Sequence, residues 1–184
     1  MTFSKTVICS NMKIHETRCC FHKFAFTGKN LFMNQDYIFN IRLTGLLIEN
    51  NQILLVQQKL SDKRNWSLPG GRLEQGETIS QGLIREMKEE TGLDVEIVRM
   101  LYLCDVAASS NTILHITFLL KRLGGEIELP TNEFDKNPIR DVKFVPISEL
   151  VHYGFSEKFI EAINNEFPNA GNYMGDKANI GLGI

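Results

Sequence analysis

Several scarcities bound this 184-residue chain before any motif is read. It holds four cysteines, two of them adjacent, a pattern that does not resemble a disulfide framework. A reducing, cytoplasmic compartment fits that usage better than a secreted one. No apolar run approaches the roughly 20 residues that span a bilayer, so no membrane partner is expected. The net charge of −2 gives no basic excess of the kind a nucleic-acid polymer requires. Internal repeats and low-complexity tracts are absent. What remains is ordinary for a globular protein, with 43% hydrophobic and 23% charged residues in a length suited to one core.

The overall charge hides an asymmetry. Residues 1–33 carry five basic residues (Lys5, Lys13, Arg18, Lys23, Lys29) against the acid Glu16, whereas the remainder is acidic. Three of the four cysteines (Cys9, Cys19, Cys20) lie there too. The segment has no long apolar core of a secretory signal, and a single arginine is too few for a transit peptide. His15, Cys19, Cys20 and His22 follow no spacing with known zinc geometry. The expected organisation is an N-terminal extension outside the fold over residues 1–33, with Met33 as a natural start, and one domain over residues 34–184.

From residue 37 the pattern becomes β. Residues 38–48 alternate through Phe39, Ile41 and Leu43. Asn50-Asn51 marks a tight turn, and residues 52–58 carry Ile53-Leu54-Leu55-Val56, so the two runs predict a hairpin. Strands are expected over 95–107 and 113–122, the second buried on both faces, and a last strand over 142–145. Brief helix is expected at 148–151, and a Ser156-capped amphipathic helix to Phe167, with Phe159, Ile160 and Ile163 inward. The Gly- and Asn-rich tail, 168–184, reads equally as a free end or as a flap over a site. Tyr153, Phe155 and Tyr173 are aromatics able to stack on a base, although core or surface packing is the commoner use. Cys104 and His115 read as packed strand residues.

The stretch that organises the chain is 69–93. Its front holds Pro69, Gly70, Gly71 and Gly76, hence a tight loop. Thr78 and Gln81 form a capping box for a helix that runs to Thr91 and stops at Gly92. On it Glu86, Glu89 and Glu90 stand at i, i+3 and i+4, on one face. Like charges so spaced repel by a few tenths of a kcal/mol per pair, and a cation should relieve them. Hard oxygen donors of this kind suit Mg²⁺, or Mn²⁺, which would carry substrate phosphates. A solvated acidic face is the plainer alternative. Against it stand the neighbouring apolar Leu83, Ile84 and Met87, Arg85 placed to bond Glu89, and Gly82, whose mid-helix cost implies close packing.

Gly71, Glu77, Arg85-Glu86-Met87, Glu89-Glu90 and Gly92-Leu93, at these spacings, resemble the complete signature of the Nudix hydrolase family, including its MutT-like members. The resemblance implies an α/β fold, an α/β/α sandwich around a mixed sheet. It implies metal-dependent hydrolysis of a nucleoside diphosphate linked to another group, a nucleoside triphosphate or nucleotide sugar. On it, Glu86, Glu89, Glu90 and the Gly70 carbonyl hold the metal, and Arg85 and Glu77 orient, with Gly71, Glu77 and Gly92 structural in the motif. The general base is Glu86 or a later-loop acid, Glu133 ahead of Asp135. Arg72 and Trp66 are the candidate substrate contacts, Trp66 with a competing place in the core. ADP-ribose-specific members often show a proline where this chain has Ala108 and Ser109. Diadenosine-polyphosphate types often show a tyrosine where it has Ser110 and Asn111. The expected partner is a small-molecule nucleotide, with homodimerisation left open. The alternative function is a Nudix-like sensor that binds a nucleotide sugar without cutting it, which should have lost metal carboxylates that this chain keeps.

Overall fold

A computed structural model describes residues 40–59, 64–107, 112–131 and 137–182. The expected extension over 1–33, Glu133 and Asp135, and positions 108–111 lie outside the described residues.

The hairpin forms as the apolar alternation requires. Strand β1 (Asn40–Glu49) turns through Asn50 and Asn51 into β2 (Gln52–Gln57). Both turn residues have positive φ, 50° and 61°, which asparagine tolerates and which matches the twist of a two-residue hairpin. After the short β3 (Trp66–Ser67) comes α1 (Ile79–Thr91), then the long β4 (Leu93–Ala107) and β5 (Thr112–Gly125). Strand β6 (Asp141–Pro146) leads into a 3₁₀ helix, Ile147–Tyr153, and α2 (Glu157–Asn164). With a further strand β7 (Asn172–Asp176), the strand order is β3-β2-β1-β5-β4-β7, with β6 on the free side of β2. β1 runs parallel to β5 and antiparallel to β2, so the sheet is mixed.

Alternation along β1 and β2 sends side chains to two separate cores. Leu43, Leu47, Leu54 and Val56 pack with Leu83 and Met87 of α1. Leu46, Ile53 and Leu55 pack on the opposite face with Phe159 and Ile163 of α2. Helices on both faces of one mixed sheet make the expected α/β/α sandwich. Thr117 and Phe118 of β5 are both buried, as expected of a strand covered on two sides.

Three expectations are corrected. Ile84 is 42% exposed, because Leu83 and Met87, one turn apart, take the buried stripe and leave Ile84 rotated out of it. The final helix ends at Asn164 and not at Phe167. Glu166 and Phe167 both adopt positive φ, and Phe167 drops into the core edge-on to Tyr102. The strand at 142–145 is not the last. Part of the tail forms β7 (Asn172–Asp176), parallel to β4, followed by a 3₁₀ turn, Lys177–Ile180. Ile180 and Leu182 are buried, and Ser156 Oγ donates to the Gly181 carbonyl at 2.7 Å. The described tail is therefore a docked element and not a free end.

Candidate metal and substrate site

The loop ahead of α1 is laid along β1. Backbone N–H groups of Gly45 and Leu43 donate to the carbonyls of Pro69 and Gly71, and that of Leu73 donates to Ile41. Gly70 has φ +135°, and a Cβ there would collide with the Leu43 carbonyl, so only glycine lets the loop lie this close. Gly71 serves differently. A Cβ on it would occupy the place of the Glu86 carboxylate, so the missing side chain is a cradle for that acid. The helix begins and ends as its sequence dictates. The Thr78–Gln81 capping box is complete, and Gly92 closes the C-terminus in the left-handed conformation. Gly82 is buried against Leu73, Leu43 and the Glu77 carboxylate, as its cost in mid-helix implies.

Arg85 organises the acids. Its Nε and Nη2 donate to the two Glu77 oxygens at 2.7 and 2.9 Å, a bidentate pair that ties loop to helix. Its Nη1 donates to Glu86 at 2.9 Å and to Glu89 at 3.0 Å, and Nη2 also reaches the Arg72 carbonyl at 3.1 Å. The Arg85 bond, then the Glu74 N–H, hold the Glu77 carboxyl down at about 2. Glu86 shifts the other way. Burial raises its pKa, against the lowering effect of Arg85, and the nearby Glu89 charge adds to the rise. Glu90 is bonded from the loop. The Gly70 N–H donates to its Oε2 at 2.7 Å. Arg42 of β1 donates to the Gly70 carbonyl at 2.8 Å.

As they stand, no three acidic, histidine or cysteine side chains among the described residues are gathered tightly enough to hold an ion. Arg85 bonds Glu86 and Glu89, while the Gly70 N–H bonds Glu90. The donor chemistry nevertheless fits a hard divalent cation. Three carboxylates and a backbone carbonyl lie on a capped helix and its tethered loop, and the acid with raised pKa sits in a cradle made by a missing Cβ.

Beside this loop opens a cavity of about 460 Å³, within the range typical of small-molecule sites. Arg42 and Thr44 bring β1 into its wall, so it borders the signature loop. Leu68, Ile113 and Phe155 give it apolar surface, and Lys177 and Leu182 of the tail close one side. His115 lines it with its Nδ1 3.5 Å from Lys177 Nζ. Burial first, then the neighbouring Lys177 and Arg42, push the imidazole down to about 4.

The two substrate-contact candidates lie elsewhere. Arg72 is exposed, and Trp66 packs edge-on to Tyr153 with the Lys143 ammonium 4.4 Å over its ring. Neither lines the cavity, whereas Phe155, one of the aromatics noted in the sequence, does. Arg42, Arg64 and Lys177 were not singled out by sequence reasoning. Arg42 carries a legible signal, a cation inside the alternating apolar run of β1. Lys177 carries none, since its place depends on pairing between β7 and β4.

The NUDIX domain model matches residues 40–163, two thirds of the chain. The chain belongs to the Nudix family. An ADP-ribose pyrophosphatase of Methanocaldococcus jannaschii is 34% identical over 125 residues, covering 66% of this chain and 70% of the relative. Nudix hydrolase 5 of Arabidopsis thaliana is 32% identical over 119 residues, covering 61% of this chain but only 38% of that protein. Among solved structures, an ADP-ribose pyrophosphatase of Streptococcus suis aligns with a TM-score of 0.55 at 21% identity, over 74% of this chain and 98% of its own. That likeness concerns the fold. The kinship places this Nudix chain among pyrophosphohydrolase enzymes. No helix among the described residues is long and apolar enough to cross a membrane.

Proposed function

We propose that this Nudix chain hydrolyses, with a divalent ion, a nucleoside diphosphate linked to another group. The observation that carries the reading is the Glu86 carboxylate seated in the Gly71 cradle. It is half-buried, raised in pKa, and flanked by Glu89 and Glu90 on one capped helix. Mg²⁺, or Mn²⁺, would be held by Glu86, Glu89, Glu90 and the Gly70 carbonyl. When bound it supplies neutralisation of the pyrophosphate's anionic oxygens.

The chain's own residues do the rest. Arg85 and Glu77 orient: their bidentate pair fixes the loop that carries Gly70, and the remaining Arg85 donors aim Glu86 and Glu89. The cavity beside Arg42 positions the substrate so that a water lies in line with the bridging oxygen. The water oxygen bonds to phosphorus, the bridging P–O bond breaks, and the water's proton passes to a carboxylate. Glu86 or Glu133 is the acceptor. The products are a nucleoside monophosphate and the phosphorylated other group. The reading includes a cytoplasmic location, as the cysteine usage suggests, and leaves room for a homodimer.

The Methanocaldococcus and Streptococcus proteins are ADP-ribose pyrophosphatases by name. Ala108 and Ser109 stand where ADP-ribose specialists often carry proline, so a wider substrate range is proposed. The test is a panel of nucleoside triphosphates, nucleotide sugars and dinucleotides with Mg²⁺ or Mn²⁺, products resolved by chromatography. A nucleoside monophosphate released only with the ion is the expected result. Release of inorganic phosphate alone, or full activity in excess chelator, refutes the reading. Binding of a nucleotide sugar without turnover of any compound transfers the site to the sensor alternative.

A further inference from the structure

The cavity beside the signature loop brings several cations together. Among the described residues that line it are Arg42, Arg64 and Lys177, together with the carboxylate of Asp176. Asp176 is engaged in its own turn, its Oδ1 accepting from the Ala178 N–H at 2.7 Å. Neither Arg42 nor Lys177 has a carboxylate ion-pair partner among the described residues. His115 beside Lys177 is held neutral, so it adds no charge of its own. Clustered cations in a partly desolvated space repel one another unless an anion joins them. Burial first, then Arg42 and Arg64, bring the Lys177 ammonium down to about 8.

The tail is built to hold Lys177 there. Tyr173 Oη donates to Asp105 of β4 at 2.6 Å, and Asn179 Nδ2 donates to the Met174 carbonyl at 2.8 Å. Ile180 and Leu182 are buried, and Gly181 is bonded by Ser156. These anchors fix both flanks of Lys177. Arg64 lies over the Phe155 ring at 5.3 Å, so a cation and an aromatic face line the same space.

We propose that the docked tail makes this cavity a selectivity site for substrates bearing a second anionic group, a phosphate or a carboxylate, apart from the scissile pyrophosphate, with Lys177 and Arg64 as its specificity-determining residues. The inference rests on the hydrolase reading for its choice of substrates, yet it concerns a different set of residues. Arg42 faces both the Gly70 carbonyl and the cavity, and so joins the two ends of the substrate path.

Two probe pairs differ in the second anion alone: NADPH against NADH, and UDP-glucuronate against UDP-glucose. The full-length chain should favour the charged member of at least one pair by roughly 10- to 100-fold in kcat/KM, the scale of one or two charge-assisted hydrogen bonds. Preference within the first pair alone identifies the group as phosphate, and within the second alone as carboxylate. Lys177→Met and Arg64→Gln should each bring the ratio toward one, and Lys177→Arg should restore it. Melting curves verify that each variant is folded. Titration calorimetry of the same pairs in chelator separates this inference from the hydrolase reading. Preferential binding without turnover keeps the site and refutes the hydrolase, whereas turnover with ratios near one in both pairs overturns the site. Equal loss on charged and neutral members in both folded variants also overturns it, because the cations would then be serving the pyrophosphate itself.

Discussion

Replacing Gly71 by alanine tests the carboxylate face at its most confined point. The new methyl would fall on the Glu86 carboxylate, closer than van der Waals contact to its carbon and both oxygens. The loop cannot retreat, since the Gly71 carbonyl accepts from Leu43 N–H at 2.8 Å and Gly70 is pressed against the Leu43 carbonyl. Glu86 must therefore move, by about 1 Å to regain normal contact. Its side chain is the flexible partner, so the fold survives. The cost is the 2.9 Å bond to Arg85 plus residual crowding, together about 1–3 kcal/mol. For a protein of this size that lowers Tm by roughly 2–4 °C per kcal/mol.

Activity should suffer far more. A misplacement of about 1 Å in a group that must be aligned costs on the order of 10²-fold in rate. The assay pairs a melting curve with kcat on whichever panel compound is turned over. Glu86→Asp supplies the internal control: being one methylene shorter, it vacates part of the space the methyl needs. If the two residues act through one contact, Gly71→Ala/Glu86→Asp is no worse than the poorer single variant. A Gly71→Ala protein that melts normally and keeps kcat within twofold refutes the cradle. Losses that multiply in the double variant show that the two positions act independently.

Three further outcomes are expected. Glu90→Gln should lower kcat by several orders of magnitude if the acid binds the ion, while Lys88→Gln, which removes only exposed bonds to Asp94 and Gly92, should change little. Near-normal turnover in the former with loss in the latter places the metal face wrongly. A chain starting at Met33 should keep its Tm and turnover, because residues 1–32 precede the first periodic strand and have the opposite charge balance, and a clear drop in either shows that they pack on the domain. The preference for a second anion should fade as pH rises through about 8, where Lys177 loses its proton. Of its charged and titratable neighbours Arg42, Arg64, Asp176, His115 and Cys104, His115 (about 4) is already neutral there and Cys104 (about 11) still a thiol. A bound anion favours the ammonium and moves the fade upward, so a preference that grows with pH contradicts the assignment.

The parts of the fold legible in the sequence are those fixed by neighbours a few residues apart. The Asn50-Asn51 turn, the Thr78–Gln81 box and the Gly92 stop are local chemistry, and each appears where the residues place it. The tether from Glu77 to Arg85 is equally readable, since eight residues of loop and helix bring a fork and a carboxylate together. Boundaries failed where a distant contact took precedence. Phe167 leaves the helical path because the Tyr102 ring offers it burial, and the tail becomes strand because β4 has an edge to pair. The same division runs through the candidate site. The carboxylates lie on one helix, so 3.6 residues per turn suffices to group them. That Arg85 collects Glu86 and Glu89 while Gly70 takes Glu90 depends on the loop's course along β1, which periodicity does not encode. The cavity is the extreme case, because Arg42, Arg64 and Lys177 come from three separated stretches and meet only after β1, the approach to β3 and the tail are in place. Chemistry carried by one helix is thus exposed to sequence reasoning, whereas substrate preference, assembled from strand edges and a docked tail, becomes visible only in three dimensions.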